Sequence, residues 1–196
     1  MIAKAPKFCP AASRESGFSL LEVMFSMAIM TIGLVSLLGV MGLAMASTQT
    51  SEQTAIAKRL ANEAMESILT ARETAQVQWS NIANGTCAVG TGCTTGIFLA
   101  PAQPINCAGV DGIVGTSDDA ACGPQILEQP GATGVWAGAC PPDTCISLTN
   151  YTRTIAISQF GADANLNSVT ITVTYTNPQL KVPQNYVLNT LISQYR

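Results

Sequence analysis

Three carboxylates, Asp111, Asp118 and Asp119, and two glycines share the stretch DGIVGTSDD between Cys107 and Cys122. Carboxylate oxygens gathered in this way suit a hard cation such as calcium, with backbone carbonyls completing the shell. The D-x-[DN]-x-[DN]-G order and distal glutamate of an EF-hand are missing, and Asp-Gly and Gly-Thr-Ser-Asp also serve as ordinary turn sequences. Calcium is the one cofactor these residues suggest; no other is expected. The second reactive set is Cys87, Cys93, Cys107, Cys122, Cys140 and Cys145, while Cys9 stands apart near the N-terminus. The spacings C-x5-C and C-x4-C lack the C-x2-C pairs of common zinc sites. An oxidised framework of three disulfides outside the cytoplasm is therefore expected, with neighbours paired as Cys87–Cys93, Cys107–Cys122 and Cys140–Cys145. The chain has no histidine, which excludes His-activated nucleophiles, His proton shuttles and His-ligated metals. No G-x-S-x-G or comparable context surrounds its serines. An enzyme is not expected. A net charge of −3 without a Lys/Arg cluster beyond the first residues argues against nucleic acid as a partner.

A different carboxylate raises the larger question. From Val23 to Ser51 there is no Asp, Glu, Lys or Arg, and Glu22 stands at the head of that run. As a helix the run would extend about 43 Å, more than the roughly 30 Å hydrocarbon core of a bilayer. Lys4, Lys7, Arg14 and Glu15 precede it, a basic excess, and Glu52 is the first charge after it, so the N-terminus is expected to be cytoplasmic and the rest outside. A secretory signal would have an apolar region of about 7 to 15 residues ending at a small-residue cleavage site. This run is far longer.

The remaining elements follow from periodicity. Ile56, Leu60, Ala64, Ile68, Ala71, Ala75 and Trp79 recur at helical spacing, widened by Ala57, Ala61, Met65 and Leu69, which predicts an amphipathic helix over 52–80 that continues the membrane helix. Residues 81–150 hold most of the glycines and prolines and all six outward cysteines, so they are expected to be loops stapled by disulfides. Three strands are expected at Thr152–Ser158, Ser168–Tyr175 and Tyr186–Ser193. In the second, Val169, Ile171, Val173 and Tyr175 alternate with threonines, the pattern of an antiparallel sheet with one buried and one wet face. The helix stripe offers that buried face its partner. The expected class is α+β: a long N-terminal helix packed on a C-terminal antiparallel sheet, with a disulfide-rich loop region.

GFSLLEV at Gly17 to Val23, followed by an apolar helix, an amphipathic helix and a sheet, resembles the type IV prepilins. The stretches Thr31 to Met41 and Thr172 to Ser193 are more weakly similar to minor pilins of the PilV type. The resemblance implies a pilin-like fold with a leader, 1–17, removed after Gly17 by a prepilin peptidase. Phe18 would then become the N-methylated terminus. It implies an assembly helix at 18–51 and a periplasmic or extracellular head at 52–196. The implied partners are that peptidase, the inner membrane before assembly, and other pilin subunits through the N-terminal helix. The implied role is that of a minor pilin of a bacterial type IV pilus. A pseudopilin of a type II secretion system shares the motif, and a plain single-pass anchored binding protein is the reading without cleavage.

The same resemblance gives Glu22 a task. A carboxylate at bilayer depth costs something like 2.5 to 3.5 kcal/mol unless paired. Cleavage after Gly17 would create an amine four residues before Glu22, and in a staggered bundle one subunit's glutamate would meet another's amine. The simpler alternative is an anion at the first turn of a helix, favoured there by the helix dipole.

Overall fold

The computed structural model describes residues 17–90, 95–122, 125–128, 145–176 and 182–195. One helix, α1 (Leu20–Glu73), runs through two units of the chain, residues 1–45 and 46–196. In the first unit its side chains are exposed all round, from Leu20 at 78% to Leu43 at 74%. In the second unit the stripe read from the sequence is the buried face: Ile56, Ala57, Leu60, Ala61, Ala64, Met65, Ile68 and Ala71. Four of these eight are alanines, small enough for a sheet to approach the helix closely.

The helix stops at Glu73, earlier than the residue 80 that periodicity predicts. Ala75 adopts a left-handed conformation, φ 56°, which turns the chain out of the helix, and the Val77 N–H reaches back to the Ala71 carbonyl at 3.3 Å. Ala75 is exposed, while Trp79 continues in a separate 3-10 turn, Trp79–Asn81, with its indole N–H on the Ala164 carbonyl at 2.9 Å.

Six strands follow. They are β1 (Gln103–Pro104), β2 (Ile126–Glu128), β3 (Cys145–Ser147), β4 (Tyr151–Gln159), β5 (Leu166–Thr176) and β6 (Pro183–Ser193), with a one-turn helix α2 (Asp119–Cys122) before β2. The main sheet has the order β1-β4-β5-β6 and is antiparallel throughout. β2 and β3 form a separate hairpin pair. The three expected strands are present and each is longer than its apolar run, because pairing extends through polar ends such as Gln159↔Asn167. β1 and the β2–β3 pair lie in the segment expected to be loops; their apolar runs are too short to register as periodic.

Alternation sets the layers. Tyr151, Arg153, Ile155 and Ile157 of β4 and Val169, Ile171, Val173 and Tyr175 of β5 face the helix and are buried, while the intervening threonines face solvent. The central segment completes the core with Ile82, Ile97, Phe98, Ile105, Ile113 and Val114. Burying a side chain of this size contributes about 1.5 to 3 kcal/mol, so this segment is structural as well as connective.

Polar ties join α1 to the sheet at two places among the described residues. Thr54 Oγ1 lies 3.0 Å from the Tyr175 hydroxyl, and Arg72 Nη1 donates to the Ser193 carbonyl at 3.0 Å. Tyr175 also stacks on Tyr151, with ring centroids 5.6 Å apart. Burial, helped by Tyr175 and Glu52, pushes the Tyr151 hydroxyl up to about 12. Cys87, Cys107 and Cys145 are each disulfide-bonded. Cys9, Cys93, Cys140 and the side chain of Cys122 lie outside the described residues, so each expected pairing includes a residue that is not described.

Candidate functional site

At the N-terminal end Gly17, Phe18 and Ser19 are non-helical and α1 begins at Leu20. The Ser19 carbonyl accepts the N–H groups of Glu22 and Val23 at 2.9 and 3.2 Å. Ser19 therefore occupies the capping position and Glu22 sits three residues on. S-x-x-E is the spacing of a capping box, a signal in the sequence beside the apolar run. The position sets Glu22 at the positive end of the helix dipole, with no described side-chain bond closing the box. Among the described residues no hydrogen bond or ion pair reaches its exposed carboxylate.

The Gly17–Phe18 peptide lies in the short non-helical stretch just before the helix, and both residues are exposed. No atom lies within 4 Å of where a Cβ on Gly17 would stand, so the described fold does not itself require glycine there. Phe18 is 82% exposed. Beyond it Phe25, Met30 and Val35 are each more than 60% exposed, and the helix is long and apolar enough to cross a membrane. An apolar helix with no cover of its own belongs in lipid or against other apolar helices.

The three aspartates read as a cation site do come together: one carboxylate oxygen of each lies within 4.8 Å of the others. Their surroundings show what holds them. Asp119 accepts the Gly109 N–H at 3.1 Å and the Gly115 N–H at 2.6 Å. Asp111 accepts from Ile113 N–H at 2.7 Å, and Asp118 from Asp111 N–H at 3.2 Å. The buried Thr116 hydroxyl lies 2.6 Å from Asp118 and 3.1 Å from Asp111. Gly115, at φ +95°, lets the backbone turn its N–H onto Asp119, and a side chain there would meet Ile155.

Burial raises Asp119, offset by the Gly115 and Gly109 N–H groups and by Arg153, and burial likewise raises Asp111. Burial pushes Asp118 up as well, but the Thr116 and backbone bonds outweigh it and its carboxyl titrates below the usual range. These bonds make the stretch a self-closed loop; its clustered oxygens also have the chemistry to meet a hard cation. Val114 N–H on Ser67 Oγ at 3.0 Å and Gln76 Nε2 on the Asp111 carbonyl at 2.6 Å fasten it to α1 and the turn that follows.

Sequence reading passed over two side chains that organise this region. Arg153 is 4% exposed on the inward face of β4, with Nη1 buried and without a hydrogen-bond partner. Burial lowers its pKa, while Glu63 and Asp119 counter that shift. Its parity with Ile155 and Ile157 was the available signal. Asn84 in the central segment has no such signal, because its partners are backbone groups distant in sequence: it donates to the carbonyls of Ile155 and Phe98 at 2.7 and 3.2 Å.

Residues 12–38 match the family described as the prokaryotic N-terminal methylation motif. No curated protein and no solved structure matches the chain. The matched segment contains Gly17, Phe18 and Glu22 and runs into the exposed half of α1.

Proposed function

We propose that this type IV prepilin-like protein is a minor pilin of a bacterial type IV pilus, of the PilV type, contributing to fibre assembly or decoration. The observation that carries the reading is the methylation motif seated on an uncovered apolar helix, with the Gly17–Phe18 peptide exposed just before the helix start. In this reading prepilin peptidase cuts after Gly17 on the cytoplasmic face and Phe18 is N-methylated. The apolar half of α1 holds the subunit in the inner membrane and then in the fibre core. The head, with its solvent-facing threonine-rich sheet, remains outside the cytoplasm.

Glu22 then has two uses in sequence. It first supports the helix start; on assembly it pairs with the amine of a neighbouring subunit's Phe18. Methylation keeps that amine charged, so the attraction persists. The pairing favours entry of a charged terminus into an apolar bundle, because an unpaired charge there is costly.

Intact mass spectrometry of the protein from membranes and from sheared surface fibres tests the reading. The expected species begins at an N-methylated Phe18 and is present in both fractions. A membrane form retaining Cys9 and the rest of the leader would overturn cleavage and leave a single-pass anchored protein. A processed form absent from fibres, whose deletion abolishes protein secretion but not piliation, would assign it to a type II secretion pseudopilus instead.

A further inference from the structure

β6 ends the main sheet, with β5 on one side and no strand on the other among the described residues. Its register with β5 is unbroken from Leu166↔Ser193 to Thr176↔Pro183. Soluble proteins usually blunt such an edge with charges, bulges or proline. From Pro183 to Ser193 there is no charged residue, and the only proline is the first. Val187 and Leu191 stand 56% and 49% exposed on the outer face, while Tyr186 and Leu188 are only partly covered on the face toward the core.

The sequence of this edge is nearly symmetric about Asn189. Moving outward from that centre, the matched pairs are Leu188 and Thr190, Val187 and Leu191, Tyr186 and Ile192, Asn185 and Ser193, and Gln184 and Gln194. All but the first pair like with like. We infer that β6 is the interface of a twofold head-to-head dimer, in which β6 of a second copy of this chain pairs antiparallel with it about Asn189.

The geometry is self-consistent. Directly opposed residues in an antiparallel pair lie on the same face. With Asn189 at the axis, Val187 meets Leu191 of the second copy on the outer face, and Tyr186 meets its Ile192 on the core face. Neighbouring two-residue slips lose this: centred on Leu188 the pairing sets Val187 against Asn189 and Leu191 against Asn185, and centred on Thr190 it sets Leu191 against Asn189 and Tyr186 against Gln194. One register therefore covers Val187 and Leu191 on the outer face and Tyr186 beside the buried Ile192 on the core face, joins two four-stranded sheets into one and closes the β6 edge of both copies. This contact involves neither the apolar half of α1 nor Phe18; α1 reaches the edge only at its end, where Arg72 donates to the Ser193 carbonyl, and the contact stands whether or not the pilus reading does.

The test uses the full chain in detergent micelles, with mass measured by sedimentation across a range of concentrations. The wild type is expected to be a dimer. The double variant Val187→Lys/Leu191→Lys should dimerise at least tenfold more weakly, and at dilutions where both proteins are monomeric its melting curve should match the wild type's, because both side chains are already half exposed. A dimer untouched by the lysines, or a monomeric wild type, overturns the inference. Position-specific cross-linking in a Cys9→Ser background separates this contact from one made by the membrane helix. Asn189→Cys should be captured by a short bis-maleimide, whereas Asn185→Cys, about 27 Å from its twin in the proposed register, should not. Equal capture at both positions would also overturn it.

Discussion

The side-chain carbonyl of Asn84 accepts the Ile157 N–H at 2.7 Å, so a residue of the central segment takes the place of a pairing strand at the edge of β4. Beyond the two residues covered by β1, this amide supplies the edge with both an acceptor and, toward the Ile155 carbonyl, a donor. Asn84→Ala would leave those buried backbone groups without partners. The expected loss is about 2 to 4 kcal/mol, read as a lower midpoint in denaturant titration of the full chain in detergent. A loss below about 0.5 kcal/mol would mean that water replaces the amide at no cost.

Arg153 and Asp119 are coupled through charge. Replacing Arg153 with Met preserves bulk and removes a buried cation, so in acid, once Asp119 is protonated, the variant should be as stable as the wild type or more so. Without the guanidinium, the already raised Asp119 rises further. A carboxyl raised in the fold loses stability as pH climbs from its unfolded value through its folded one. Arg153→Met should therefore fall behind the wild type as pH rises above the usual carboxylate range through the Asp119 titration. A stability difference that does not change with pH would show that the two groups do not interact.

Thr116 offers one hydroxyl hydrogen to several carboxylate oxygens. Thr116→Val should cost about 1.5 to 3 kcal/mol at neutral pH. Asp118, lowered in the fold, contributes stability above its unfolded pKa that is lost as pH falls through its folded one. The gap between variant and wild type should accordingly narrow in acid. Because the loop's own N–H groups and this hydroxyl already engage the carboxylates, the melting curve in calcium should match that in chelator. A higher midpoint in calcium would give the three aspartates a bound cation.

The Glu22 series separates a helix-start role from subunit pairing. Glu22→Gln is expected to insert and to be cut after Gly17, since a dipole contribution is at most about 1 kcal/mol, yet to enter fibres poorly. Glu22→Asp should be partly competent, its shorter side chain falling short of the amine. Glu22→Lys should be the poorest, with two cations where one pair is needed. Immunodetection of each variant in sheared fibres reads the result, and normal incorporation of the lysine variant would sink the pairing.

What the sequence made legible was whatever repeats at short range. The stripe Ile56 to Ala71 and the alternation Val169 to Tyr175 each bury one face at a fixed period, so helix, strands and their mutual packing could be read directly. GFSLLE lies within the segment that matches the methylation motif, and DGIVGTSDD put the three aspartates in one loop. The end of α1 was not legible, because Ala75 turns the chain through a left-handed conformation that alanine rarely adopts. Nor were the core contributions of Ile82, Phe98 and Ile113, whose burial depends on contacts across the chain. Thr116, Asn84 and Arg153 share that reason: each is defined by partners that folding brings near.

The two ties between α1 and the sheet, Thr54 to Tyr175 and Arg72 to Ser193, stand at opposite ends of the buried stripe, separated by roughly 27 Å of helix. A pull along α1 thus meets the sheet as a lap joint, pinned at both ends and glued between. Such a joint resists sliding with all of its contacts at once, whereas a hinge tied at one end peels contact by contact. The mechanical strength of the head should then exceed what its equilibrium stability suggests, and cutting either pin, by Thr54→Val or Arg72→Met, should lower rupture force more than it lowers the melting temperature.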